Sequence, residues 1–372
     1  MVRIWALPPP DREPSRFAAH GQVQNHWLFA VRLSGPTCRG RGPSAVRGQY
    51  GDAHLTTRLD SSALPPVSRT VNTSGMKPGK RPSAPRATTE YRYEKLTWPE
   101  INDAVDLGKV CVVPCGAVEQ HGPHLPLDVD IVCPTEIARG AGKLASDKML
   151  VLPTVCYGYT GHVMDFAGTI NHHYEHFIHH VLDITNSLAY HGFQKILLLN
   201  GHGSNMPNLD LAARRTNLET DAECILCAWW NLLTVDRKFL PRWRQSKFPG
   251  GCAHACELET SLYLYLDGGN VRKDLIKSGV ISFNEEDSPF NWVDLFAAGP
   301  ATLISWTSTY SETGVLGDAE LASAEKGKRA YEEAVKQLVR FINWFKDRPK
   351  DRRRDRHRKH PTMPMPWNQK SP

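Results

Sequence analysis

The chain has 372 residues, of which 41% are hydrophobic and 23% charged. That balance matches a folded globular protein and excludes disorder throughout. The longest apolar runs fall far short of the ~18–20 residues a membrane helix requires, so no bilayer-spanning segment is expected. The formal charge of +6 is unevenly distributed. Residues 1–75 carry +5 and residues 348–359 another +6, which leaves the body near −5. A phosphate-binding surface on the body is not indicated, and no nucleic-acid or membrane partner is expected.

The nine cysteines are odd in number and sit mostly in apolar stretches. That pattern suits reduced thiols, hence a cytoplasmic location, and no secretory signal is evident at the start. Residues 1–75 lack Lys and are rich in Pro, Arg, Gly and Ser without a sustained period. They read as disordered or as an over-extended gene start. The expected organisation is an unstructured region over 1–90, one domain over 91–346, and a basic, Pro-rich tail over 347–372.

Thr97-Trp98-Pro99-Glu100 carries an N-cap, an early proline and a Glu three residues on, which predicts a helix to about residue 106. A buried strand follows at 110–114, then a long Gly/Pro/His loop and a helix over 131–144. Further strands are predicted at 148–154, 194–200 and 223–229, and helices at 174–190, 206–218, 257–265 and 319–345. Apolar strands alternating with amphipathic helices predict an α/β layered fold with a mostly parallel sheet flanked by helices.

Three segments carry chemistry. The first is Glu119-Gln120-His121-Gly122-Pro123-His124-Leu125-Pro126-Leu127-Asp128-Val129-Asp130, directly after a strand. In an open α/β sheet that is the edge where ligands bind. Carboxylates and neutral imidazoles are donors that zinc, manganese or iron accept. Glu119 and His121, two apart in extended chain, project to one side. The second is Asn200-Gly201-His202-Gly203-Ser204-Asn205, also after a strand. Its glycines allow close backbone approach, and its Asn residues are suited to fixing the turn and capping the next helix. The third is His254-Ala255-Cys256-Glu257-Leu258-Glu259-Thr260-Ser261. Read as helix, it places His254 and Glu257 on one face and turns Glu259 away.

These segments, with Thr313-Gly314-Val315-Leu316-Gly317-Asp318, resemble the creatininase family of metal-dependent amidohydrolases over roughly residues 95–345. The resemblance implies a layered α/β fold, a homo-oligomer that is often a hexamer, and two divalent metal ions per subunit. It puts Glu119, His121, Asp130 and His202 on metal-ligand positions, with Asp130 bridging, and His254 on the proton-transfer position. Creatininase proper carries a Glu where this chain has Ser204, and a Trp where it has Gly250-Gly251. Glu257 is therefore expected to supply the missing ligand, and a substrate other than creatinine is expected. Glu259 is assigned beside His254 in the catalytic set, orienting a ligand. His124, His162, Trp230 and Ser204 are the expected substrate contacts; Gly168-Thr169 also resembles a substrate-facing loop.

The predicted activity is hydrolysis of a C–N bond, a cyclic amide or formamide, in a small polar molecule. The alternatives are opening of a cyclic polyol ketone, trimming of a modified peptide, or a non-catalytic metal-binding scaffold. Two further clusters are read as structural: His172, His173, His176 and His180 as a solvated helix face, and Cys224, Cys227, Cys252 and Cys256 as thiols that do not converge on zinc.

Overall fold

The computed structural model describes residues 85–280, 289–350 and 354–359. The expectations for residues 1–75, and most of those for 1–90, concern residues outside this set. In chain order the elements are α1 (Pro85–Thr89), α2 (Trp98–Asp106), β1 (Val110–Cys115), α3 (Val129–Leu144), β2 (Met149–Val151), α4 (Tyr174–Tyr190) and β3 (Lys195–Asn200). There follow α5 (Met206–Glu219), β4 (Glu223–Ala228), α6 (Phe239–Trp243), β5 (Cys252–His254), α7 (Glu257–Asp267), β6 (Leu316–Gly317) and α8 (Ala324–Asp347).

The main sheet is parallel throughout, in the order β2-β1-β3-β4. Strands β1 and β3 are buried at every position, as expected of their largely apolar sequences; the polar ends of β3, Lys195 and Asn200, are buried too. Alternation divides their side chains between two cores. Val110, Val112, Leu197 and Leu199 face α3, α7 and α8, where Ile137, Leu258, Leu262, Ala334, Leu338 and Phe345 are buried. Cys111, Val113, Ile196 and Leu198 face α4 and α5, against Phe177, Val181, Leu209 and Ala212. The result is helix, sheet and helix in three layers, as the sequence pattern predicts. Helix α2 begins as expected: the Glu100 carboxylate accepts the Thr97 N–H at 2.7 Å.

Short helices α1 and α6 were not foreseen, nor were two features nearer the site. The predicted last helix starts later than residue 319. A 3-10 turn at Ala319–Leu321 comes first, and Ser323 then caps α8 by accepting the Lys326 N–H at 3.2 Å. The short antiparallel pair β5–β6 is also new. It places His254 on a strand, a position that decides the site described below.

Register fixes the site's location. Cys115 pairs with Asn200, and Asn200 with Ala228, so the carboxyl ends of β1, β3 and β4 lie level. The loops that follow β1 and β3 therefore emerge side by side. No described helix is long and apolar enough to cross a membrane. The eight described cysteines are free. Arg348, assigned by sequence to the basic tail, is held to the body, its guanidinium donating to Glu223 at 2.5 Å; residues 354–359 are exposed.

Candidate metal centre

The two strand-end loops meet over the first turn of α3. A side chain on Gly116 would lie 2.5 Å from the Asp130 carbonyl, and one on Gly201 would lie 2.2 Å from the same atom. Only glycine permits both loops to close on Asp130. Asn205 then fastens them: its amide donates to the Gly116 carbonyl at 3.0 Å, and its Oδ1 accepts the Tyr159 N–H at 2.9 Å. Asn205 does not cap α5 with its side chain, contrary to expectation. Asn200 does fix the turn, accepting the His202 N–H at 3.1 Å.

Around Asp130 the structure gathers two triads of donors, Glu119–Asp130–His202 and His121–Asp130–Glu259, with donor atoms in each within 4.8 Å of one another. Asp130 belongs to both. His202 Nδ1 lies 2.7 Å from Glu119 Oε2 and 3.1 Å from Asp130 Oδ2. His121 Nε2 lies 3.2 Å from Asp130 Oδ1 and 3.9 Å from Glu259 Oε1. All five side chains are almost completely buried.

The far nitrogens decide how these rings are used. His121 Nδ1 is 3.2 Å from the Glu119 carbonyl and His202 Nε2 is 3.0 Å from the Tyr159 carbonyl. Each carbonyl takes an N–H, so the opposite nitrogen, turned to the carboxylates, offers a lone pair to a cation once its own proton is displaced. Backbone acceptors fix metal-binding imidazoles in this way. Glu119 Oε2, His121 Nε2 and Asp130 Oδ2 are buried without a properly angled hydrogen bond despite their close neighbours. Donor atoms roughly 3 Å apart, aimed between one another, match the spacing of ligands around an ion bonded at about 2.0–2.2 Å. The donor set therefore fits divalent cations.

Electrostatics support that fit. Burial opposes a charge on His121, yet Asp130, Glu259 and Glu119 hold its pKa up at about 10. Burial likewise opposes a charge on His202, but Glu119 and Asp130 drive it well above the usual imidazole value. Burial raises Glu259 to about 7, and burial with the Asp130 charge raises Glu119. Despite burial, His121 and His202 hold Asp130 below the usual carboxylate range. Three buried carboxylates demand compensating positive charge, which protons or cations supply.

His254 stands beside this group, its ring 4.2 Å from that of His121. Its Nε2 is 2.8 Å from the Gln120 carbonyl, to which it donates in the tautomer that satisfies that oxygen, and 3.1 Å from the Gln120 side-chain nitrogen; Glu119, His121 and His254 also form a third group of donors within 4.8 Å of one another. Burial, reinforced by His121, lowers its pKa well below the ordinary value and keeps the ring neutral. Gln120 itself donates to the Gly314 carbonyl at 3.2 Å and accepts the Gly122 N–H at 2.8 Å. It ties the 313–318 loop to the metal loop, and the sequence reading missed that role.

Several expected assignments change. Glu257 does not approach Asp130 or His202. It is fully buried elsewhere, accepting N–H groups of Gln245 and Ser246 at 2.9 and 3.0 Å and pairing with the Lys326 ammonium. The helical spacing used to choose it fails because His254 ends β5 and Ala255 turns through φ +51° before α7 begins. Glu259 therefore faces the metal group, where an orienting role had been expected, while its Oε2 accepts the Ala255 N–H at 2.6 Å. Nothing in the sequence marks a non-glycine residue in that left-handed conformation.

His124 is wholly buried, with Nε2 2.9 Å from the Thr260 hydroxyl, and offers no face to a substrate. Trp230 is 5% exposed, edge-on to Trp229 at 5.9 Å, and belongs to the core beside α8. Thr169 braces the metal loop by accepting the Gln120 N–H at 3.2 Å. Half-buried His162 and Ser204 do lie at the centre, with Ser204 Oγ 3.5 Å from both ring nitrogens of His162. The histidines at the start of α4 and just before it stay outside it: the rings of half-buried His172 and exposed His180 are 6.1 Å apart. Cys252 and Cys256 are neighbours, Sγ to Sγ 3.2 Å, whereas Cys224 and Cys227 lie on the distant β4.

A family model for creatininase, described as creatinine amidohydrolase, matches residues 94–342. The chain belongs to the creatininase family. A mycofactocin precursor peptide peptidase of Mycobacterium tuberculosis is 30% identical over 246 residues, 64% of this chain and 86% of that protein. A creatinine amidohydrolase of Pseudomonas putida is 29% identical over 265 residues, 67% of this chain and 94% of that protein. A solved structure described as creatininase Mn superposes with a TM-score of 0.56 at 27% identity, covering 69% of this chain and 99% of that one. This protein is thus a creatininase-family hydrolase with a candidate metal-binding site.

Proposed function

We propose that this creatininase-family hydrolase is a binuclear metal amidohydrolase that cleaves the C–N bond of a small polar cyclic amide or formamide. The observation that carries this reading is the pair of buried imidazoles, His121 and His202, each fixed by a backbone carbonyl and each presenting its other nitrogen to Asp130. Glu119, Asp130 and His202 would hold one divalent ion, and His121, Asp130 and Glu259 the other, with zinc, manganese or iron suited to this donor set. Bound there, such ions supply Lewis acidity, which makes water a nucleophile near neutral pH and polarises a carbonyl. Glu119 and Asp130 hold the negative charge that keeps the ions in place.

His254 supplies the proton traffic. Neutral, with Nε2 held by the Gln120 carbonyl, it accepts a proton at Nδ1 and delivers it to the departing nitrogen, which then leaves as a neutral amine. Without that proton the leaving group would be an amide anion.

A second reading, trimming of a modified peptide, is favoured by the 30% identity to the mycobacterial peptidase. Homo-oligomer formation belongs to the proposal and is supported by exposed Phe290, Leu303, Ile304 and Trp306. The free thiols support a reducing, cytoplasmic setting.

The test is metal analysis of the purified protein followed by turnover assays on cyclic amides, formamides and short peptides. Two ions per chain, with His254→Ala slowing turnover by about 10²- to 10⁴-fold while retaining both, supports the assignment. Two bound ions without turnover of any amide or peptide would reject it in favour of a metal-binding scaffold.

A further inference from the structure

Two further imidazoles flank the Asp130 cluster, and they differ in what holds them. His254 is committed through Nε2 to the Gln120 carbonyl. His162 sits on the other side, its ring stacked 6.1 Å from that of His202 at 24°. Its Nε2 is 4.0 Å from Glu119 Oε1. Among the described residues its hydrogen-bond partner is the Ser204 hydroxyl, which lies at 3.5 Å from either ring nitrogen and so favours neither. Contacts of that length constrain a ring weakly.

The turn carrying this ring is itself well anchored. Thr160, just before the 3-10 turn Gly161–Val163, donates its N–H to Asn171 Oδ1 at 2.9 Å and its hydroxyl to the Ile170 carbonyl at 3.0 Å. The backbone is fixed while the imidazole keeps an uncommitted nitrogen next to Glu119. The triad Glu119–Asp130–His202 offers three donors, one fewer than a closed four-coordinate site.

We infer that His162 is the fourth protein ligand of the ion held by Glu119, Asp130 and His202. The inference rests on the two-ion reading above. It makes the site unequal: the ion on the His202 side is closed by protein, and the ion on the His121 side keeps the open position for water and substrate. His162 then secures an ion, where sequence had made it a substrate contact.

The experiment titrates metal-free protein with Co²⁺, reading stoichiometry by calorimetry and ligand geometry from the visible absorption bands. Wild type is expected to bind two ions. In His162→Ala one of the two should weaken by at least about 10-fold, the other keeping its affinity, with the bands of the weakened site changed. Ser204→Glu in the His162→Ala background should restore tight binding, because a carboxylate at 204 enters the space the ring vacates. His162→Gln serves as a second, milder variant, and circular dichroism checks that each protein is folded. Two ions held at wild-type affinity with unchanged bands in folded His162→Ala or His162→Gln would overturn the inference and leave the two-ion reading intact. Wild type that binds no Co²⁺ would overturn both.

Discussion

Two buried carboxylate stations lie within one turn of α7, and they have opposite fates. Glu257 is saturated: two backbone N–H groups and the Lys326 ammonium take up its charge. Glu259, two residues on, shares its surroundings with Asp130 and Glu119, and the nearest partner that can carry positive charge is the His121 imidazole, cationic only while it is protonated. The first station neutralises its charge inside the protein and holds α7 and the 245–246 segment to α8. The second leaves a deficit of positive charge that a cation removes. A buried carboxylate therefore signals a metal only where the surrounding protein has not already neutralised it.

The contrast can be broken experimentally. The largest effect is expected from Asp130→Asn, since Asp130 is common to both triads. Metal analysis should find neither ion retained at stoichiometric level, with hydrolysis abolished. A variant still holding two ions would show that Asp130 is not shared. Glu257→Gln should do the reverse. It removes the charge partner of the Lys326 ammonium, which keeps the Gln245 Oε1 and Leu321 carbonyl acceptors, and so should cost about 1–3 kcal/mol in denaturant unfolding while the folded protein keeps its full metal content. Loss of metal from folded Glu257→Gln would erase the distinction between the stations.

Removing the ions with a chelator should lower wild-type stability by about 2.7–4.1 kcal/mol for each ion lost if free metal stood at 100 to 1,000 times its dissociation constant. Glu257→Gln should lose the same increment on chelation, because the two stations act independently. The smallest effect is expected for Asn205→Ala. Its two hydrogen bonds fasten the loops beneath the ions, and losing them should cost about 1–3 kcal/mol. Unlike Glu257→Gln, this variant should also weaken metal binding, measured in the same titration. Unchanged affinity would mean the loops hold their positions without that clasp.

Much of this architecture was legible in the chain. Helix α4 spans the residues that its periodicity indicates, and β1, β3 and β4 begin and end within a residue or so of the predicted limits. Local signals sufficed there, because an unbroken apolar run or a capped amphipathic stretch has one stable use. Acidic and imidazole residues after two strands marked Glu119, His121, Asp130 and His202 as neighbours, since parallel strands in register deliver their ends to one edge.

The choice between Glu257 and Glu259 was different in kind. It turned on whether His254 begins a helix or ends a strand, and that is settled by pairing with Leu316, more than 60 residues away. Burial of His124 beneath Thr260 and of Trp230 in the core was equally non-local. Sequence by itself determined the alternating elements, the layered sheet and the donor types at the strand ends, because those follow from the spacing of apolar and polar groups along a few residues. Only the tertiary structure decided which carboxylate stays unneutralised and which imidazole nitrogen faces inward. Both depend on charges and backbone carbonyls brought in from distant parts of the chain.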